Sequence, residues 1–521
     1  MKRRRNVIWT AGFLTVLTAA VLSGCRETPE ESAVASRAGG LSKDAVIDPL
    51  PEGDTRIIEL PKEWKETVKW SKDRWIFEAD IELSSIETGN LPVVEMAQHS
   101  MTQEELEQLT AYFAGGQELY QPLPVPKEVF QEKIDRIRNM EGVYAVYTID
   151  TGLTYRMERL ENGLAAAPEG DGQTAEKAEV SFGPRQADPG DDAASERSSY
   201  VSPETDAMEI FFSADVGEER TGSIEVRNYD ADAGLSQSFE WMEGDAVLYQ
   251  KQNIDSYRGT HNEYKDVSDT DRQWEAILDE CTAKMTEENI REEEGREQAE
   301  AVLHDLGITD KVFARAEPVL WFPEGTYPEP VGGTAEDSLW QADREKAEAG
   351  YAYTFLNEVG GLGVDFRYGG RLNGIVSETV EESYAPAFPV ETVTVVVTES
   401  GVRQFVWDGM SETVSTVAEN VEILPFENMK ERMVDYISYY FPGAQPADSL
   451  SRFRYELEDL AFGYTYVTAY GEPDHAWAVP AWFVELMAGC SAPELTGRDE
   501  IEDTGWVYFT FSAIDGGAVE S

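Results

Sequence analysis

Between Glu391 and Trp407 the chain reads Glu-Thr-Val-Thr-Val-Val-Val-Thr-Glu-Ser-Gly-Val-Arg-Gln-Phe-Val-Trp. Val393, Val395 and Val397 share one face of an extended segment, because strand side chains alternate with a period of two. Glu399-Ser400-Gly401 makes a three-residue loop with its glycine, and Val402 to Trp407 returns. A hairpin with one apolar face has to be covered by a second layer. A helix expected from about Glu427 to Phe441, ended by Pro442-Gly443, offers Met429, Met433, Ile437 and Tyr440 as that layer. Further strands are expected at Phe462 to Tyr470, Ala476 to Leu486 and Trp506 to Ile514. Pro480 marks the middle one as irregular or at an edge. Helices on antiparallel sheet define the α+β class.

The rest of the chain extends this pattern into two or three lobes. Residues 56–167 are expected to form an N-terminal α+β lobe. Trp75 to Leu83 alternates as a half-buried strand. Thr102 and Glu105 form a capping box for a helix lined by Leu106, Leu109 and Phe113 and stopped at Gly115-Gly116. Pro126 to Met140 reads as a second helix and Val143 to Tyr147 as a strand. Residues 168–206 are acidic and rich in small residues, so a disordered insert is expected there. Residues 207–387 form a middle α+β region, with strands at Met208 to Ala214, Gly222 to Asn228 and Gln237 to Met242. A helix capped by Thr270 and Gln273 follows. Another is capped by Thr286, carries Ala299, Val302, Leu303 and Leu306, and ends at Gly307. Residues 388–521 are expected to form a C-terminal lobe of their own.

The N-terminus reads as an address. Lys2, Arg3, Arg4 and Arg5 precede an apolar run, and Leu22-Ser23-Gly24-Cys25 closes it. A basic head, an apolar stretch and a small-residue exit make an export signal over residues 1–25. Leu22-Ser23-Gly24-Cys25 resembles the bacterial lipobox at every position. That resemblance implies a diacylglycerol on Cys25, cleavage before it, and an extracytoplasmic protein held to the outer face of the cell membrane. The alternative is an uncleaved anchor, since Asn6 to Gly24 approaches the roughly 20 residues that span a bilayer. Either way the basic head stays inside. Residues 26–55, with Pro29, Pro49 and Pro51, are expected to be a flexible tether.

Acids outnumber bases 100 to 43, giving a net charge of −57. Such a surface repels phosphate backbones, which argues against nucleic acid as a partner. It also repels anionic lipid, so membrane attachment would rest on the lipid at Cys25.

The sequence carries no familiar catalytic signature. His99, His261, His304 and His475 stand apart, with no paired metal-binding spacing. No Gly-x-Ser-x-Gly elbow and no phosphate loop occur. Gly361-Leu362-Gly363 opens like a dinucleotide loop but lacks its third glycine. Asp269, Asp271, Gln273 and Glu280 imitate calcium-loop ligands, yet Trp274 holds the place where the loop needs glycine. Those residues are better read as a helix start, and Asp230 with Asp232 as a turn. Cys281 and Cys490 could pair outside a cell; Cys281 also fits an ordinary buried thiol on a helix stripe. Trp321-Phe322 and Trp477 to Trp482 fit core at strand spacing better than a sugar platform. No catalytic, cofactor or metal residue is therefore assigned, and Cys25 is the one site residue.

Gly350-Tyr351-Ala352-Tyr353-Thr354-Phe355, Val359 to Val364, Gly401 to Trp407, Asn420 to Phe426, Val479-Pro480-Ala481-Trp482 and Ala513-Ile514-Asp515-Gly516 together are similar to uncharacterised surface lipoproteins of Gram-positive anaerobes, grouped as a domain of unknown function. The ending Pro-x-Trp followed by Ala-Ile-Asp-Gly resembles PepSY and YycH/YycI-type extracytoplasmic modules. Those resemblances imply a non-enzymatic binding or regulatory protein of the envelope, partnered by analogy with a peptidase or a sensor. The competing expectations are a carboxylate-based envelope hydrolase and a ligand-binding lipoprotein of a transport system.

Overall fold

A computed structural model of the protein describes residues 41–70, 73–123, 126–138, 160–165, 167, 176–184, 208–231, 235–244, 247–250, 269–285, 291–323, 342–365, 388–440, 452–469, 472–491 and 501–519. The expected export signal, Cys25, the Val143 to Tyr147 strand, His261 and the Thr286 cap lie outside them. Along the chain come β1 (Arg56–Ile58), β2 (Glu63–Trp70), β3 (Trp75–Glu82), β4 (Ile86–Thr88) and β5 (Val93–Gln98). Then follow α1 (Gln103–Ala114), β6 (Leu119–Tyr120), α2 (Lys127–Arg138), β7 (Phe211–Val216), β8 (Gly222–Arg227), β9 (Ser238–Glu243) and β10 (Val247–Gln250). Helices α3 (Asp269–Met285) and α4 (Glu292–Asp305) lead to β11 (Lys311–Phe322), β12 (Glu348–Val359) and β13 (Leu362–Gly363). The hairpin β14 (Thr392–Thr398) and β15 (Gly401–Asp408) precedes β16 (Ser411–Ala418), α5 (Phe426–Tyr440), β17 (Arg452–Ala469), β18 (Glu472–Ser491) and β19 (Glu502–Ser512). The result is sheet-rich α+β, as the alternation and capping signals lead one to expect.

The chain forms two compact units. The first takes Met1–Gln98, Asn357–Val390 and Ser411–Ser521. Its main sheet runs β16-β5-β18-β17-β3-β2, with β19 also on β18. Strand β18 is long enough to serve two neighbours on one side. His475 to Ala478 pair with β5, and Ala481 to Cys490 pair with β19. Strands β17 and β3 run parallel, from Phe453 opposite Trp75 to Leu457 opposite Ala79. Helix α5 lays Phe426, Met429, Met433 and Ile437 against Trp64, Phe77, Trp482, Val484 and Phe511. The spacing of those helical residues makes one apolar stripe. Burying each such side chain contributes about 1.5–3 kcal/mol.

The second unit takes His99–Leu356 and Glu391–Met410. Its strands follow the order β10-β11-β12-β14-β15-β9-β8-β7-β6. Helix α1 starts at the expected capping box, Thr102 with Glu105, and stops at Gly115, whose φ of 58° suits glycine. Its Leu106, Leu109 and Phe113 join Ala299, Val302 and Leu303 of α4 over Val393, Val395, Val397 and Phe405. On α3, Ile277, Leu278, Cys281 and Met285 cover Leu320 and Phe322 of β11 with Ala347 and Ala349.

The units cut across the expected lobes. The segment 388–521 is divided, because β14 and β15 pair into the sheet of the second unit while β16 to β19 build the first. The covering layer changes accordingly. The Met429–Met433–Ile437 stripe packs on the aromatic core around Trp482, and α1 and α4 cover the valine face. Alternation says that a face needs cover; it does not say which helix supplies it. The N-terminal lobe expected over 56–167 divides likewise, β1 to β5 in one unit and α1 onward in the other.

Two segments expected to be unstructured are partly built in. Residues 176–184 of the insert are anchored where Ala178 N donates to Leu119 O and Gly183 N to Phe211 O. Val180 and Phe182 pack on the core of the second unit. The end of the expected tether is a strap on the first unit. Ile47 N donates to Asn420 O, the Asn420 amide donates to Asp48 O, and Leu50 N donates to Asn90 Oδ1. Together with the antiparallel bridge of Val46 to Val421, those bonds satisfy the extended backbone of the strap.

Candidate functional site

The first unit carries a half-exposed polar row at the β16 end of its sheet. The register sets Ser415 opposite Glu95 and Glu95 opposite Trp477, with His475 two residues before Trp477 on the same face. Ser415 Oγ donates to Glu95 Oε2 at 3.0 Å, and Glu95 Oε1 lies 3.3 Å from His475 Nδ1. The carboxylate is therefore central, with a hydroxyl on one oxygen and an imidazole on the other. A nucleophilic triad needs the imidazole between the other two groups. Here the carboxylate, not the imidazole, takes the middle place. A β-bulge lies beside it: Val414 is the extra residue between Thr413 and Ser415 and is 49% exposed. Bulges blunt a sheet edge and re-aim side chains.

In the second unit His99 Nε2 sits 3.0 and 2.9 Å from the two carboxylate oxygens of Glu105. Burial opposes ionisation of Glu105, but the Thr102 backbone N–H, the His99 ring and the Thr102 hydroxyl outweigh it and hold the carboxyl below its ordinary range. These groups complete the cap of α1.

A second charged cluster follows from a bulge in the β14–β15 hairpin. Val396 faces Gln404 and Val397 faces Val402, so Arg403 is the extra residue. Its guanidinium meets both carboxylate oxygens of Glu348, at 3.1 and 3.0 Å, together with Glu243 and the Thr398 hydroxyl. Glu348 is held below the usual carboxylate range despite its burial, because Thr398 and Arg403 hydrogen-bond its charged form.

A third cluster sets a buried ion pair beside a carboxylate, Asp310, whose side chain is 62% exposed. The side chains of Lys311 and Glu391 are each 1% exposed, with Nζ 3.0 Å from Oε1. Trp407 Nε1 donates to the same Oε1 at 2.9 Å, and Asp310 Oδ1 lies 2.7 Å from Nζ.

The residues singled out in the sequence take mostly structural places. His304 is 86% exposed on α4. Trp321, Phe322 and Trp482 are core. Val359-Gly360-Gly361-Leu362 is a tight hairpin turn, with φ of 61° and 82° at its glycines, which explains the glycine pair without a dinucleotide. Asp269 to Glu280 lie along α3, as the helix reading requires. Cys281 is buried, Cys490 is half-buried, and neither is joined in a disulfide. Among the described residues no three His, Cys, Asp or Glu side chains gather as a metal site, and no described helix is long and apolar enough to cross a membrane. The Glu95 row and the Lys311–Glu391 pair have no local sequence signal, since their members come from distant segments.

No family model matches the chain, and no curated protein matches it. Among solved structures, a crystal structure of an uncharacterized protein from Eubacterium rectale ATCC 33656 at 1.45 Å resolution is similar at 13% identity, covering 89% of this chain and 94% of that one with a TM-score of 0.40.

Proposed function

We propose that the protein is a lipid-anchored, extracytoplasmic binding or regulatory protein of the cell envelope, whose partner docks at the β16 end of the first unit's sheet. The anchor rests on Leu22-Ser23-Gly24-Cys25 behind the basic head. The docking surface is carried by one observation: β16 ends the strand order and presents Glu412 to Thr416 to solvent beside the Ser415–Glu95–His475 row. A peptide can extend such a sheet through backbone hydrogen bonds, with neighbouring side chains reading its sequence. The likeness to PepSY and YycH/YycI-type modules supports a secreted peptidase or a membrane sensor as the partner class.

Two measurements in cells test the proposal. A clickable fatty acid should label the wild type and miss Cys25→Ala; equal labelling would remove the anchor. A photo-crosslinking residue in place of Val414 should give a discrete adduct that the same residue in place of Lys65, on β2, does not give. Identical patterns at both positions would remove the docking surface. Turnover of cell-wall fragments or peptides by the purified chain, lost in Glu95→Gln, would replace the proposal with a carboxylate hydrolase.

A further inference from the structure

The geometry points to a covalent cross-link: we propose that Lys311 and Glu391 condense into an isopeptide bond. Lys311 opens β11 and Glu391 immediately precedes β14, strands that flank β12 in the sheet. Taking two charges out of water is costly, and an ion pair recovers that cost only with good geometry and further hydrogen bonds. Condensation removes both charges and leaves one neutral amide, the smaller desolvation burden.

The groups around the pair have the roles that the reaction needs. Nζ already lies at hydrogen-bond distance from the carboxyl group, 3.0 Å from Oε1. One ammonium proton passes to the carboxylate, leaving a free amine facing a neutral carboxyl. The Nζ lone pair adds to Cδ and the C–N bond forms. The charge that develops on Oε1 is met by the Trp407 Nε1–H, which already donates to that atom at 2.9 Å. Asp310 Oδ1, 2.7 Å from Nζ, takes the proton released by addition. That proton ends on the departing hydroxyl, the Cδ–Oε2 bond breaks, and one water leaves. No oxidant, reductant or added reagent is required. The Trp407 ring, its centroid 5.8 Å from Nζ, helps to wall the pair from solvent.

The purified full-length chain tests this directly. Trypsin cannot cut after an acylated lysine. Digestion of the wild type should therefore yield a branched peptide joining residues 297–315 to residues 372–403, lighter than the two together by one water. Lys311→Arg should abolish it. Glu391→Gln should restore the identical branched product by releasing ammonia instead of water. Trp407→Phe should slow its appearance in a time course after refolding. The wild type decides the matter by itself. If folded protein held for days releases only the linear peptide ending at Lys311, the proposal is overturned.

Discussion

Cys281 lies on the face of α3 that packs against β11, and burial pushes its thiol up to about 11, with Arg344 opposing only in part. Below the ordinary thiol value of 9.0 both folded and unfolded chains keep this proton. As pH rises from there to about 11, only the unfolded chain gives it up. Folding stability is therefore intact below that window and falls across it by about 2–3 kcal/mol. Melting curves should show a steeper loss over this range in the wild type than in Cys281→Ala. An alkylating reagent at neutral pH should modify Cys490 well before Cys281, since the thiolate is the reactive form. Gly295 lies in the first turn of α4, against Tyr353. A Cβ there would fall 2.2 Å from Tyr353 Oη, which donates to Glu292 O at 2.8 Å. Gly295→Ala should cost about 1–3 kcal/mol in denaturant unfolding. Tyr353→Phe should recover part of that loss, making the double variant milder than the sum of the singles. Strict additivity would show that the two side chains do not meet.

At the scale of elements, the strap over residues 42–50 hangs on one buried side chain. Asn420 is fully buried; its Oδ1 accepts from Leu91 N at 3.0 Å while its amide donates to Asp48 O at 3.2 Å. Asn420→Ala leaves the Leu91 N–H buried and unpaired, a loss of about 1–3 kcal/mol. Amide exchange at Ile47 and Leu91 should quicken, with exchange in α1 unchanged. Local signals of this kind decide how much can be read ahead of the structure. The Thr102–Glu105 box and the Gly115 stop are each written within a few residues, and each takes its expected form. The three-residue loop expected at Glu399-Ser400-Gly401 is shorter in the structure, because Thr398 pairs with Gly401 and Glu399-Ser400 alone makes the turn. The strap depends on Asn420 and Asn90, far along the chain, so its composition reads as linker. The same holds for the site: Ser415, Glu95 and His475 meet only through the register of β16, β5 and β18. The helix-to-sheet assignment fails for a related reason. Any apolar stripe fits any apolar face at the level of pattern, and only the strand order separates α5 from α1 and α4.

For the whole molecule, the interleaving of the units makes folding a long-range affair. Neither unit is a contiguous piece of chain, and the first needs β2, β3 and β5 as well as β16 to β19. Expressed alone, residues 388–521 should lack near-ultraviolet dichroism and a cooperative melt, because β17 loses its partner β3 and α5 loses Trp64 and Phe77. A sharp transition from that fragment would show that the C-terminal segment folds by itself. Non-local pairing also slows folding, since loop closure precedes the stabilising contacts.

The parallel pair of β3 with β17 also carries a sense of time. A ribosome adding about 5–20 residues per second leaves tens of seconds between the birth of Trp75 and that of Phe453. During that interval β3 exists with its hydrogen-bonding edge open to any passing strand. Lys65 and Asp80, an exposed ion pair across β2 and β3, already guard the nascent ribbon with charge. Strand β17 is therefore made long after the strand it closes, and a chain cut short before Phe453 would leave that edge of β3 unpaired.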